Sequence, residues 1–290
     1  KRLDEVVAIT LAGSCASARK DNFSDIDIDI IVYKEIAIEE RESIARKFSD
    51  LIEINNTFWG PSDEFIIRNS SIQVDIAYFE YYWLEQKLKY VVEECNASVG
   101  YSTCFWNNVI NSIIVYDKDN KFKDLQEKYN IPYHKKLKEN IIKKNYPILN
   151  ERFSSYYNQI DKAIKRNDIV NMHNRVSAFL DSYFDIIFAI NEFPHPGEKR
   201  LISIIEKNCK KVPKDFEKNI NNLLNSSINF DLEVLSNIND IGGADNNTDK
   251  KKAGHGKKNK LFVLMFIVRI KNDIINFISI LKWEEKMGIL

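Results

Sequence analysis

The stretch GSCASARKDNFSDIDIDIIV, residues 13–32, decides how the rest of the chain is read. Its second half alternates acid and isoleucine: Asp25, Ile26, Asp27, Ile28, Asp29, Ile30. In a strand, residues two apart point to the same face, so three carboxylates line one side and the isoleucines turn the other way, into a core. Carboxylates about 6–7 Å apart repel, and Lys, Thr or Ser would solvate such a face without that cost. A divalent cation removes the repulsion, and two neighbouring aspartates can bridge metal ions about 3.5–4 Å apart, as phosphoryl-transfer sites require. The plainer alternative is an acidic outer face on a half-exposed strand. The first half of the stretch, from Gly13-Ser14 through Cys15, Ala16, Ser17 and Ala18, is a turn of small residues. Backbone N–H groups in such a turn can approach an anion closely. Arg19 and Lys20 follow as candidate phosphate contacts.

Working outward, VVAITLAG (residues 6–13) is a short apolar strand leading into the turn. SIQVDIAYF (71–79) alternates again, and EFIIRN (64–69) reads as its hairpin partner through Asn69-Ser70. Asp75 falls in the middle of that strand, where an acid is costly unless it is paired, ligated or turned to water. AIEERESIARKFSDLIE (37–53) has helical spacing, with Ile38, Ile44, Phe48, Leu51 and Ile52 on one side. Strand, turn, strand, helix, strand, strand predicts a small mixed α/β unit.

From about Trp83 the pattern becomes helical, and after Pro132 helices are expected over roughly 136–165, 168–192, 198–208, 213–226 and 260–285. We therefore expect an α+β domain with a small mixed sheet over residues 1–118 and an all-α domain over 119–290. GGADNNTDKKKAGHGKKNK (242–260) has almost no apolar content and is expected to be a flexible loop, with a basic lid over an anionic ligand as the alternative reading.

The Gly-Ser turn followed by Asp-x-Asp, with a third acid on a later strand, resembles the signature of the DNA polymerase β-like nucleotidyltransferase superfamily. Within it the chain resembles the bacterial antibiotic nucleotidyltransferases of the aminoglycoside type, in which a minimal catalytic domain precedes a helical one. The resemblance implies a magnesium-dependent enzyme that moves a nucleoside monophosphate, AMP from ATP by preference, onto a hydroxyl of a small acceptor such as an antibiotic. It implies that Gly13 and Ser14 hold the phosphates, with Arg19, Ser24 and Lys199 as further nucleotide-binding residues. It implies that Asp25, Asp27 and Asp75 hold two Mg2+ ions, Asp75 also taking the acceptor's proton. Many relatives carry glycine where Ala18 stands, and Asp29 receives no role. Two other readings stay open: modification of a protein or RNA acceptor, supported by the lysines of 251–260, and a catalytically silent nucleotide-sensing module.

Lys+Arg and Asp+Glu balance at 42 each, which argues against a grip on long nucleic acid. The four cysteines form no C-x-x-C pair, as in a reduced cytoplasmic protein. The run LFVLMFIV (261–268) falls short of the roughly 20 apolar residues that a bilayer span needs, so no membrane association is expected. A monomer or a homodimer is expected. His173 and His195 read as local structure, Glu198-Lys199-Arg200 as a helix start with a phosphate contact as the alternative, and Trp59 and Trp106 as core.

Overall fold

The computed structural model describes residues 3–13, 16, 25–226, 268, 270 and 278. The chain divides into two compact units, one of Lys1–Asn96 with Thr103–Leu137, the other of Ala97–Ser102 with Lys138–Leu290.

The first unit is built on six strands: β1 (Val6–Leu11), β2 (Ile26–Val32), β3 (Ile52–Asn56), β4 (Ser62–Ile66), β5 (Gln73–Glu80) and β6 (Ile113–Asp117). They form one sheet in the order β3-β4-β5-β2-β1-β6. Only β2 and β5 run parallel; the other pairs are antiparallel, so the sheet is mixed. A parallel pair needs a crossover. Here it consists of helix α1 (Ile38–Ala45) and the β3–β4 hairpin. The turn from β4 to β5 passes through Asn69 at φ 59, closed by Ile67 N–H donating to the Ile72 carbonyl at 2.9 Å. Helix α2 (Tyr81–Leu88) continues into a single π-helical turn, Lys89–Glu93. Helices α3 (Cys104–Asn111) and α4 (Lys121–Tyr129) flank β6 in sequence. Trp106 of α3 and Phe122, Leu125 and Tyr129 of α4 are buried, and the Trp106 indole N–H donates to the Tyr129 carbonyl at 2.8 Å.

The sequence pattern misled in one segment. The helix expected across residues 37–53 ends at Ala45, and Ile52–Asn56 is a strand. The supposed apolar face is exposed at Ile38, Ile44, Phe48 and Leu51, while Arg41 is buried. Arg41 docks α1 through charge: its guanidinium lies 3.4 Å from Asp63 Oδ1, donates to Asn55 Oδ1 at 3.1 Å and sits 4.8 Å from the centre of the Tyr78 ring. Asp63 also accepts from Tyr78 Oη at 2.7 Å and from the Asn55 N–H at 2.8 Å. A charged pair holds this helix, so hydrophobic periodicity had nothing to report.

The second unit is helical. It carries α5 (Lys135–Asn150), which starts at the boundary, then α6 (Tyr156–Lys165), α7 (Ile169–Ile190) and α8 (Leu201–Asn208), with residues 216–226 also helical. The single helix expected over 136–165 is two, separated by residues 151–155 and restarted at Ser155, whose hydroxyl accepts from the Asn158 N–H at 3.4 Å. α7 runs through the core, burying Phe179, Tyr183, Ile186, Ile187 and Phe188. Ile270, two residues beyond the apolar run 261–268, is helical and buried in the same core. Where the sequence suggests a division at 118/119, the compact units divide at 137/138, because α4 packs on β1 and β6. The stretch 242–260 lies outside the described residues. No helix among the described residues is long and apolar enough to cross a membrane.

Candidate active site

Strand register assembles the site. In the parallel β2–β5 pair, Asp27 stands directly opposite Asp75. In the antiparallel β4–β5 pair, Asp75 stands opposite Glu64, and Glu64 in turn opposite Glu53 of β3. Residues directly opposite each other share a sheet face, so four carboxylates from four successive strands form one row. Like charges placed so oppose pairing. The fold maintains this arrangement with carboxamides: Gln73 Nε2 donates to Asp75 Oδ1 at 2.8 Å and to Glu64 Oε2 at 3.3 Å, and Asn56 Nδ2 donates to Glu64 Oε1 at 3.1 Å. Burial, with the charges of Asp75 and Glu53, pushes the Glu64 carboxyl above its ordinary range.

Gly13 closes the row at the β1 end. The Ala12 N–H donates to the Asp27 carbonyl at 2.9 Å, which lays the end of β1 alongside Asp27. Gly13 follows at φ +59, and a Cβ on it would sit 1.8 Å from Asp27 Oδ2. Only a residue without a side chain lets the backbone come this close to the carboxylate.

One step along the strands lies a second polar layer. Thr10 pairs with Asp29, so both share the face of Asp27. Asp29 accepts from Asn108 Nδ2 of α3 at 3.0 Å. Burial raises its carboxyl to about 6; the Asn108 bond pulls down and the Asp27 charge pushes up. Thr10 is fully buried, and its hydroxyl has no hydrogen-bond partner among the described residues.

Of the residues singled out in the sequence, the structure brings Gly13, Asp27 and Asp75 together, with Asp25 half-buried immediately ahead of β2. Ile26, Ile28 and Ile30 take the opposite face but are half-buried. Ser14, Arg19 and Ser24 lie outside the described residues. Lys199 belongs to the second unit, in the turn ahead of α8. His195 is fully buried against the rings of Tyr101 and Phe188, its Nδ1 accepts from the Gly197 N–H at 3.2 Å, and burial depresses its pKa to about 4. The acids of the helical half are engaged locally: Asp161 with Lys165, Glu192 with Lys138, Asp181 with Tyr101 Oη, and Asp168 as the cap of α7. Sequence reasoning missed Glu53, Glu64, Gln73 and Thr10. Each looks ordinary in sequence, and only the register of β1, β3, β4 and β5 aligns them with the Asp-x-Asp strand.

Among the described residues no group of three or more His, Cys, Asp or Glu is arranged to hold a metal ion. Magnesium does not need one, since it is usually bound by one or two carboxylates together with substrate phosphates and water. An in-register pair of aspartates, all-oxygen in its donors and bordered by the positive-φ backbone of Gly13, fits that requirement.

No protein-family model matches the chain. No curated protein matches it in sequence. Among solved structures, a nucleotidyltransferase-like protein from Exiguobacterium sibiricum 255-15 is similar at 8% identity and a TM-score of 0.40, over 93% of this chain and 69% of that one.

Proposed function

We propose that this protein is a magnesium-dependent nucleotidyltransferase that moves a nucleoside monophosphate, AMP from ATP, onto a hydroxyl of a small acceptor, an antibiotic among the candidates. The observation that carries the reading is the in-register pair Asp27–Asp75, with the positive-φ backbone of Gly13 against the Asp27 carboxylate. Structural economy does not explain two facing acids on adjacent strands, bordered by a glycine that admits no side chain. An anionic substrate with its counter-cations does.

Asp27 and Asp75 would hold magnesium together with the phosphates of the substrate, with Asp25 as a further candidate oxygen donor, and the side-chain-free backbone at Gly13 would let the triphosphate approach. When bound, the metal supplies neutralisation of the phosphate charge and a lower pKa for the acceptor hydroxyl. Asp75 keeps Oδ1 on Gln73, which leaves Oδ2 to accept the proton of the attacking hydroxyl. The acceptor oxygen attacks the α-phosphorus in line, a P–O bond forms, the bond to the β-phosphate bridging oxygen breaks, and pyrophosphate leaves.

The test is pyrophosphate release from each of the four nucleoside triphosphates with Mg2+, using a panel of hydroxylated antibiotics and a cell extract as acceptors. Release that needs one small acceptor and disappears in Asp27→Asn and Asp75→Asn is the expected result. Release with extract alone would move the acceptor to a protein or RNA. A folded protein that releases none from any nucleotide would end the reading.

A further inference from the structure

The acids of the site do not hold themselves in place. Asp75 and Glu64 are directly opposite in an antiparallel pair, and the group between them is one nitrogen, Gln73 Nε2. Gln73 lies two residues ahead of Asp75 on β5, so its side chain emerges on the same face. A carboxamide nitrogen carries two hydrogens, and here one goes to Asp75 Oδ1 at 2.8 Å and the other to Glu64 Oε2 at 3.3 Å. Glu64 is itself fixed on its other oxygen by Asn56 Nδ2 at 3.1 Å. The result is a chain of bonds, Asn56 to Glu64, Gln73 to Glu64 and Gln73 to Asp75, that ends on one oxygen of Asp75.

We propose that Gln73 is the positioning residue of this site: its carboxamide, anchored on Glu64, fixes the Asp75 carboxylate with Oδ2 toward the metal and acceptor. The inference rests on the reading of Asp27 and Asp75 as metal-binding acids. Glu64 has a defined part in it. As an acceptor for the second N–H it orients the amide with nitrogen, and not oxygen, toward Asp75. A glutamine without that anchor could flip and set its own oxygen against the carboxylate.

Groups that orient metal-binding side chains typically influence metal affinity by about 10–100-fold. The experiment is Mn2+ binding, read by electron paramagnetic resonance on the full chain, without nucleotide and with a non-hydrolysable ATP analogue. The variants are Gln73→Met, close in shape and without a donor, and Gln73→Glu, which keeps the shape and replaces the donor with a third charge. Asp27→Asn, Asp75→Asn and the double variant Gln73→Met/Asp75→Asn complete the set, with thermal unfolding in parallel. The expected result is Mn2+ binding weakened about 10–100-fold in Gln73→Met, beyond any fall in melting temperature, whereas Gln73→Glu should melt earlier because it sets a third charge between Asp75 and Glu64. The double variant should be no weaker than Asp75→Asn alone, because a residue that acts through Asp75 adds nothing once Asp75 is gone. A purely structural role would lower the melting temperature and leave affinity alone. Wild-type affinity in Gln73→Met, with binding lost in Asp27→Asn, would overturn the role of Gln73 and leave the proposed function standing. Absence of protein-bound Mn2+ in the unmodified protein, both alone and with a non-hydrolysable ATP analogue supplying the phosphates, would overturn both.

Discussion

Gly13→Ala is the substitution that most directly separates a built site from an accidental cluster of acids. Gly13 has φ +59, and an added Cβ would lie 1.8 Å from Asp27 Oδ2, 2.6 Å from its Cγ and 3.1 Å from its Cβ. Two effects follow, with different signatures. The left-handed backbone costs a non-glycine residue roughly 1–2 kcal/mol, a loss of about 2–4 °C in melting temperature per kcal/mol for a domain of this order. Relief of the clash also requires the Asp27 carboxylate to swing by about 1 Å or more, out of its row with Asp75. Misplacement by about 1 Å can lower a rate by about 100-fold. Gly60→Ala is the matched control: Gly60 has φ +132, strained for any L side chain, and nothing lies within 4 Å of its added Cβ. Both variants should melt earlier. Only Gly13→Ala should lose Mn2+ binding and pyrophosphate release. If it folds and retains both at the unmodified level, the carboxylate of Asp27 has no positional role and the site assignment fails.

Three further predictions concern packing and titration within each unit. Burial raises the Asp185 carboxyl from 3.8 to about 7 against the bonds from Ser102 and Asn145, so the folded form keeps a proton that the unfolded chain has lost. That contribution is complete below about pH 4 and is lost as pH rises to about 7; relative to Asp185→Asn, the unmodified protein should therefore lose a few kcal/mol across that window in urea unfolding, and a constant difference would refute it. Trp106 is 1% exposed and Trp59 97%, so Trp106→Ala should cost about 3–5 kcal/mol and Trp59→Ser should stay within about 0.5 kcal/mol; equal losses would contradict the packing. Arg41→Met should cost about 3–5 kcal/mol by leaving Asp63 charged and buried without its partner, and Arg41→Met/Asp63→Leu should recover much of it; no recovery would mean that Arg41 acts by packing alone.

The strands legible in sequence are those that alternate apolar and polar residues, because a strand with two unlike faces writes that alternation into its residues. β2 and β5 show it plainly, and the hairpin before β5 followed from its turn. β3, with the sequence IEINN, was absorbed into a helical reading, since Leu51-Ile52 completes an apparent stripe begun at Ile38. The structure spends Ile38, Ile44 and Leu51 at the surface and buries Arg41 in their place. Trp59 misled in the same way: a large aromatic residue in a hairpin tip has no local signature that distinguishes it from core.

The site was half legible for a related reason. Asp25, Asp27 and Asp29 announce themselves because repelling charges at strand spacing have no structural use. The structure then divides these three by environment. Asp27 meets Asp75 across the parallel pair, while Asp29, one step further along, is half-buried and bonded by Asn108, opposite Thr10. Glu64 and Glu53 sit in ordinary polar stretches and join the row only through antiparallel register, which depends on where the hairpins turn. The same register explains Gln73. In sequence it is one polar residue before a strand; in the sheet it is the only described donor placed between two opposed carboxylates. A one-residue slip of β4 against β5 would turn Glu64 to the other face, away from Gln73 and Asp75, and leave the Gln73 amide without its anchor. The register that assembles the acids is therefore also what makes them compatible with a stable sheet.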